Sequence, residues 1–583
     1  MKKNAYLPLL TLAAACLMVA GRVYAGVEVK GSVYGGGNLA DVKTNTVVKI
    51  SAGQVVGSVY GGGKGKADSY RCEKAMVGVD GDGETNPTGG TTVTITGGTV
   101  VGSVYGGGEV GRVEKNTVVT IGTAEADANA ETPSPVIRGN VFGAGKGVST
   151  HGYAALVRGN ATVTVQGNAA VGLSVYGGGE IASVGRYSIA KTDEEATQHD
   201  VEKGMPYSLK NANSGNCTVI VGGYAEIGPD DMQMKKAEGG PDDTGYVFGA
   251  GKGVLPYEGY ADEDTPWRQT PGNDMTSNDD DGTEDYGAAN EADYIKYIGT
   301  LALATQTDVT IKDYAFIKGS VYGGSENGRV QHDTEVTIQD HCQIGNGWSG
   351  TSGVNERYDE ADFIDPATAT AKEIEAKAAI LHECASWDYG VEEGGKMVYH
   401  PYDKFDARDG ARKIATDGHT FFGNVFGGGS GLYPYLSRIE GKGYEWIRTA
   451  GQVSGNTSVT ITGGHILTSV YGGCELTDVG NSVTLKENKG KCTVKMSGGT
   501  IGVPRTLEQI QAHPVTCYLF GAGKGDQRTR FNQWTNVGNV IVEINDSISR
   551  PIIYGSVFVG ALIGTLRQIQ DLFRYFTKKE DKK

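Results

Sequence analysis

One phrase recurs along the whole chain: an apolar pair followed by a run of glycines. It is centred on Tyr34, Tyr60, Tyr105, Phe142, Tyr176, Phe248, Tyr322, Phe426, Tyr471 and Phe520, each preceded by Val or Leu and followed by Gly, with a degenerate copy at Phe558. Self-similarity of this kind is the signature of a stacked-repeat architecture. A second phrase is interleaved with the first, a triplet with apolar ends: Val48-Lys49-Ile50, Val93-Thr94-Ile95, Val119-Thr120-Ile121, Val163-Thr164-Val165, Val219-Ile220-Val221 and Val309-Thr310-Ile311. It continues at Val336-Thr337-Ile338, Val459-Thr460-Ile461, Val483-Thr484-Leu485, Val494-Lys495-Met496 and Val542-Glu543-Ile544. Period two with β-branched residues predicts strands with one buried face, the middle residue outward.

The unit is thus a strand, often a Gly-Gly turn, an apolar-aromatic strand and a glycine corner, as in 91–111. Triplets recur as closely as Val93 to Val119, about the length of one coil of a parallel β-helix. No helix separates the two strands of a unit, which argues against βαβ crossovers. The expected fold is all-β: a parallel β-helix of ten to eleven coils over residues 26–560, one unit per coil. Interior glycines cost roughly 0.5–1 kcal/mol each relative to Ala, so three per unit require either positive φ at a sharp corner or close approach between coils. From the third copy onward Tyr and Phe copies alternate, Glu109, Glu180, Glu326 and Glu475 follow Tyr copies, and Lys146, Lys252 and Lys524 follow Phe copies. Odd and even copies therefore occupy different sites, and a larger coil with two units per turn is the alternative to one unit per coil.

Interruptions fall at the corners, at about 186–216, 230–245, 255–306, 347–420 and 432–455. Loops lengthen cheaply, about 0.6 kcal/mol of closure entropy per doubling. Helical patterns lie in two of them, from Asn290 to Ala304 and from Asp365 to Cys384. If these loops share one side, that side is the functional face.

Residues 1–25 read as a secretory signal peptide: Lys2 and Lys3, an apolar stretch from Leu7 to Ala20, and Val23-Tyr24-Ala25 before a cut between Ala25 and Gly26. A lipoprotein signal at Cys16 is the alternative. No other apolar run is long enough for a transmembrane span. Residues 561–583 read as an amphipathic capping helix with a charged tail, a dimerisation or membrane-surface helix being the alternative. The net charge is −16, and loss of Lys2, Lys3 and Arg22, three positive charges, takes it to −19. That acidity, with no basic stripe, argues against nucleic acid as a partner. Seven cysteines remain after cleavage, without paired spacing; a bridge among Cys474, Cys492 and Cys517 stays open.

Chemical motifs are few. Gly106 to Gly111 matches a dinucleotide fingerprint without the helix it needs, and Gly143 to Gly147 lacks the Ser/Thr of a phosphate loop. Neither implies a cofactor. Asp80, Asp82 and Glu84 alternate as in a calcium loop, but Thr85 and Thr91 stand where Gly and Glu belong, so calcium competes there with a solvated loop. His382-Glu383-Cys384 has no zinc spacing. Glycan cleavage would need a local carboxylate cluster; Asp230-Asp231 and Asp242-Asp243 come nearest, and no enzyme is expected.

The GSVYGGG and GNVFGAGKG blocks, alternating with TVTITGG strands behind a signal peptide, resemble secreted glycine-rich repeat proteins of bacteria. More loosely they resemble autotransporter passengers and polymorphic outer-membrane repeat proteins, though no C-terminal barrel is visible. The resemblance implies surface display and adhesion, with a surface protein or glycan of a host or neighbouring cell as partner. Three readings follow: a secreted or surface adhesive scaffold presenting loops; a polysaccharide-binding or polysaccharide-cleaving β-helix; and an ice- or mineral-ordering face built on the outward Thr column. An acidic cleft would favour the second, a uniform Thr face the third.

Overall fold

The computed structural model describes residues 26–69, 71–79, 89–210, 213–229, 245–258, 261, 290–345, 347–348, 355–356, 368–378, 388–393, 396–401, 423–431, 435–480, 489–504, 517–525 and 535–560. The signal-peptide reading, the calcium-loop reading at Asp80, Asp82 and Glu84, the triplet at 483–485, the pairs at 230–231 and 242–243, residues 382–384 and the expected C-terminal helix lie outside them.

The chain winds into a parallel β-helix of about ten coils, with three parallel sheets of 11, 11 and 10 strands. The triplets form the ten-strand sheet, from Thr46–Ile50 to Asn539–Ile544. The apolar-aromatic pairs form a second sheet, from Val33–Tyr34 to Val557–Phe558. A third sheet, of two-residue strands such as Thr99–Val100 and Glu226–Ile227, occupies the stretch that the sequence marks only as a turn. Two residues are too few to display a period, which is why it escapes sequence reading. Consecutive copies pair with one another, Val33 with Val59, Val59 with Val104 and Val104 with Val141, so one unit makes one coil.

Inward Val and Ile of all three sheets form one continuous buried core. Within the triplet strand the residue two before the first Val is also inward; where it is Thr, its hydroxyl donates across the corner to a glycine carbonyl, as Thr91 does to Gly106 (2.5 Å) and Thr117 to Gly143 (2.6 Å). Ala161, Cys217 and Cys492 take this position elsewhere. All three of Cys474, Cys492 and Cys517 are free buried thiols, so the bridge left open above is not formed.

The aromatic residues face away from the Val/Ile core and build a ladder of their own. Eleven rings from Tyr34 to Phe558 stack with centroids 4.6–5.3 Å apart and planes within 14°. Their tips explain the odd–even spelling. Tyr105 donates to Glu180 (2.5 Å), Tyr176 to Glu326 (2.6 Å) and Tyr322 to Glu475 (2.7 Å), each skipping one Phe coil. Tyr34 reaches Glu109 past Tyr60 in the same way. The skipped coils supply Lys or Ser at the Glu position: Lys524 pairs with Glu475 at 2.7 Å, and Ser430 donates to it at 3.1 Å. A buried carboxylate must be paired or hydrogen-bonded; a two-coil period meets that need.

The two kinds of glycine separate cleanly. In the Gly-Gly turns φ is positive, +81° at Gly98 and +79° at Gly464. At the corner, the first glycine after the aromatic has ordinary φ but faces the next coil: a Cβ on Gly106 would sit 2.1 Å from the Gly143 carbonyl oxygen, and on Gly143 2.2 Å from that of Gly177. Close approach, not turn geometry, requires these glycines.

The interruption at 186–216, the one at 255–306 and the one at 432–455 all follow the aromatic strand of their coils and share one flank. The helix Glu291–Ile298, capped by the Asn290 side chain, packs Tyr294, Tyr297 and Ile298 with Tyr257, Leu301, Ile447 and Ala450. Buried Glu291 accepts from Tyr257, Ser437 (2.7 Å) and Lys442 (3.0 Å), joining two of the insertions. Lys296 meets Glu202 of the third at 3.1 Å. A further helix, Asp193–His199, with a capping box between Thr192 and Glu195, goes beyond the two that the sequence pattern predicts. Of the second expected helix, Ala371–Ala378 lies among the described residues and is helical.

Candidate functional site

The turn that follows each triplet strand sets the site. In several coils it is a bare Gly-Gly. In four successive coils the residue two before the short strand is bulky instead: Asn168, Tyr224, Tyr314 and His341, placed in line because Ala170, Glu226, Phe316 and Gln343 pair in register. Tyr224 and Tyr314 stack at 4.9 Å, and Tyr314 and His341 at 5.1 Å. Tyr314 is 41% exposed.

One coil below, the same turn is drawn out into a loop spanning 122–135. Asn168 pins it: its Oδ1 accepts from the Asp127 amide (2.8 Å), its Nδ2 donates to the Asp127 carbonyl (2.7 Å), and its own carbonyl accepts from the Ser134 amide (2.8 Å). Between this loop and the ring ladder lies a groove of about 540 Å³. Loop residues Asp127, Glu131 and Thr132 form one wall and Tyr224, Tyr314 and His341 the other, the two meeting where Asn168 bonds Asp127. The outward residues of the short-strand sheet, Glu226, Gln343 and His465, form the floor.

The floor residues are held by their neighbours on the sheet. Lys318 is nearly buried, meets Glu226 at 3.2 Å and lies over the Phe316 ring at 5.7 Å. Gln343 donates to the Gly345 carbonyl (3.0 Å), and His465 Nδ1 is 2.8 Å from the Thr500 hydroxyl. The lining carries three carboxylates, two imidazoles, two phenols and two amides, and neither Lys nor Arg. Among the described residues no three acidic, His or Cys side chains converge closely enough to hold a metal ion. The groove thus presents hydroxyl, amide, imidazole and carboxylate groups to solvent.

The sequence singles out none of the groove residues. They stretch from Asp127 to His465, and only coil register unites them. The usable signals were the extra length between Ile121 and Val136, and bulky residues at 224, 314 and 341 where other turns carry Gly. The outward Thr columns of the triplet sheet are in register but crossed by Lys49, Asp308, Glu335, Lys495 and Glu543, so they are not a uniform Thr face.

The class defined is a parallel β-helix with a lateral acidic groove. No family model, no curated protein and no solved structure matches the chain. No described helix is long and apolar enough to cross a membrane.

Proposed function

We propose that the chain is an exported β-solenoid that binds an extracellular polysaccharide along its side groove. The observation carrying this is the groove itself: an open channel parallel to the coil stack, walled by ring-bearing turns and lined by hydroxyl, amide and carboxylate groups. Its floor is a sheet face whose backbone groups are already paired between coils, so a peptide cannot add as a strand there. A carboxylate-rich lining disfavours nucleic acid. Sugar chains fit both conditions, since they present hydroxyl donors and need no backbone partner.

The test is electrophoretic retardation of the mature chain in native gels containing individual extracellular polysaccharides, alongside Tyr314→Ala. Retardation by at least one polymer, reduced tenfold or more in the variant, is expected. Equal mobility in every gel, or retardation indifferent to Tyr314, would sink the reading.

The broader adhesive-scaffold reading is favoured by the flank lobe, in which Glu291 ties two insertions into one rigid surface. Adherence to cells that survives Tyr314→Ala undiminished would move the binding function to that lobe.

A further inference from the structure

The groove has a repeat and a charge sign, and together they specify more than a generic sugar chain. We infer that it takes an unbranched, amino-bearing glycan, a β-linked amino-sugar polymer with free amines, lying along the stack with about one sugar per coil. This inference rests on the polysaccharide reading above and narrows it.

The repeat comes from the ladder. Ring positions succeed one another at 4.9 and 5.1 Å from Tyr224 to His341, and Glu226, Phe316, Gln343 and His465, in register on the short-strand sheet, advance by one coil each. Parallel strands fix this advance at about 4.8 Å, close to the length of one β-1,4-linked pyranose unit. An extended chain parallel to the axis therefore meets one wall position and one short-strand position at each unit. A branched or tightly coiled glycan would lose that correspondence after one or two units.

The sign comes from the lining. Asp127 and Glu131 stand on the loop wall and Glu226 on the floor, so carboxylates border the channel on two sides. Lys318, nearly buried, meets Glu226 at 3.2 Å and offsets its charge, so the net negative charge bordering the channel comes from Asp127 and Glu131 on the loop wall. Uronic or sulfated sugars would place anions against these carboxylates, whereas protonated amines would meet them as charge-assisted hydrogen-bond partners. The chain's overall charge of −16 acts in the same direction at longer range.

The experiment is calorimetric titration of the mature chain at pH 6 with three probes: a glucosamine hexamer, its fully N-acetylated counterpart and oligogalacturonate. The glucosamine hexamer should bind at least tenfold more tightly than the acetylated one. Its affinity should fall about tenfold in Asp127→Asn/Glu131→Gln, both on the exposed loop wall, with an unchanged thermal melt as control. Oligogalacturonate should not bind. Equal or tighter binding of the acetylated hexamer would overturn the amine inference while leaving the polysaccharide reading standing. Binding of oligogalacturonate would overturn the charge argument. Binding of no probe, and of no polysaccharide in the gels above, would overturn both.

Discussion

Gly106→Ala separates the two explanations of the corner glycines. By propensity alone Ala should help, because it removes unfolded-state freedom worth roughly 0.5–1 kcal/mol, and φ at this position is not positive. The geometry says otherwise. The new methyl would lie 2.1 Å from the Gly143 oxygen and 3.0 Å from Val119 Cγ2. Relief requires the coils to part, yet the Gly106 amide bonds the Phe142 carbonyl at 2.9 Å, and that bond would open. Overpacking costs about 1–3 kcal/mol and a lost buried bond about 0.5–1.5 kcal/mol more, so after the propensity gain a net destabilisation of about 0.5–4 kcal/mol is expected. Gly31→Ala is the control: nothing lies within 4 Å of the place its methyl would occupy, and its φ is ordinary, so it should be neutral or slightly stabilising. Guanidinium denaturation followed by circular dichroism gives both midpoints, with the slope checked because a repeat stack need not unfold in two states. A Gly106→Ala midpoint equal to or above that of the parent would refute the close-approach argument.

Further outcomes follow from the ladders and the core. Tyr105→Asp should lower the melting temperature far more than Thr94→Asp, since Tyr105 is 4% exposed whereas Thr94 points outward; burying a charge costs several kcal/mol and a surface change about 0.5, so equal shifts would contradict the facing. Burial first, and then the Glu109 hydrogen bond, push the Tyr34 phenol up to about 12, and burial raises Tyr60 and Tyr105 further. The fold thus favours neutral phenols, so this stability is complete below about pH 10, where unfolded tyrosines ionise, and drains away as pH climbs toward 12 and beyond; denaturation midpoints that do not fall between pH 9 and pH 11.5 would be inconsistent. Burial pushes the thiols of Cys72, Cys217 and Cys492 up to about 12. In Cys384→Ser, Ellman's reagent should accordingly find no thiol in the native mature chain and six after denaturation.

The architecture was legible because the repeat writes each sheet into the sequence: Val-Tyr and Val-Phe pairs for one, triplets for another. The short-strand sheet was not, since Gln54–Val55 or His465–Ile466 is too brief to show periodicity. The Tyr–Phe alternation was visible, but its cause, a hydroxyl reaching past one coil to a carboxylate, depends on stacking distance. The groove was hidden for a related reason. Tyr224, Tyr314 and His341 are ordinary turn residues until register aligns them, and the 122–135 loop reads as one more lengthened corner. Insertions drew attention to the flank lobe because they interrupt the repeat, whereas the groove is built mostly from substitutions within it.

The measurement that bears most directly on the central claim is affinity against oligosaccharide length. The bulky turn residues Asn168, Tyr224, Tyr314 and His341 occupy four successive coils. Calorimetric titration with β-1,4-linked oligomers of one to eight units should therefore show affinity climbing through about four units and then levelling off. Affinity that is already maximal for the monomer or dimer, or that is absent at every length, would contradict a groove that reads a sugar chain coil by coil.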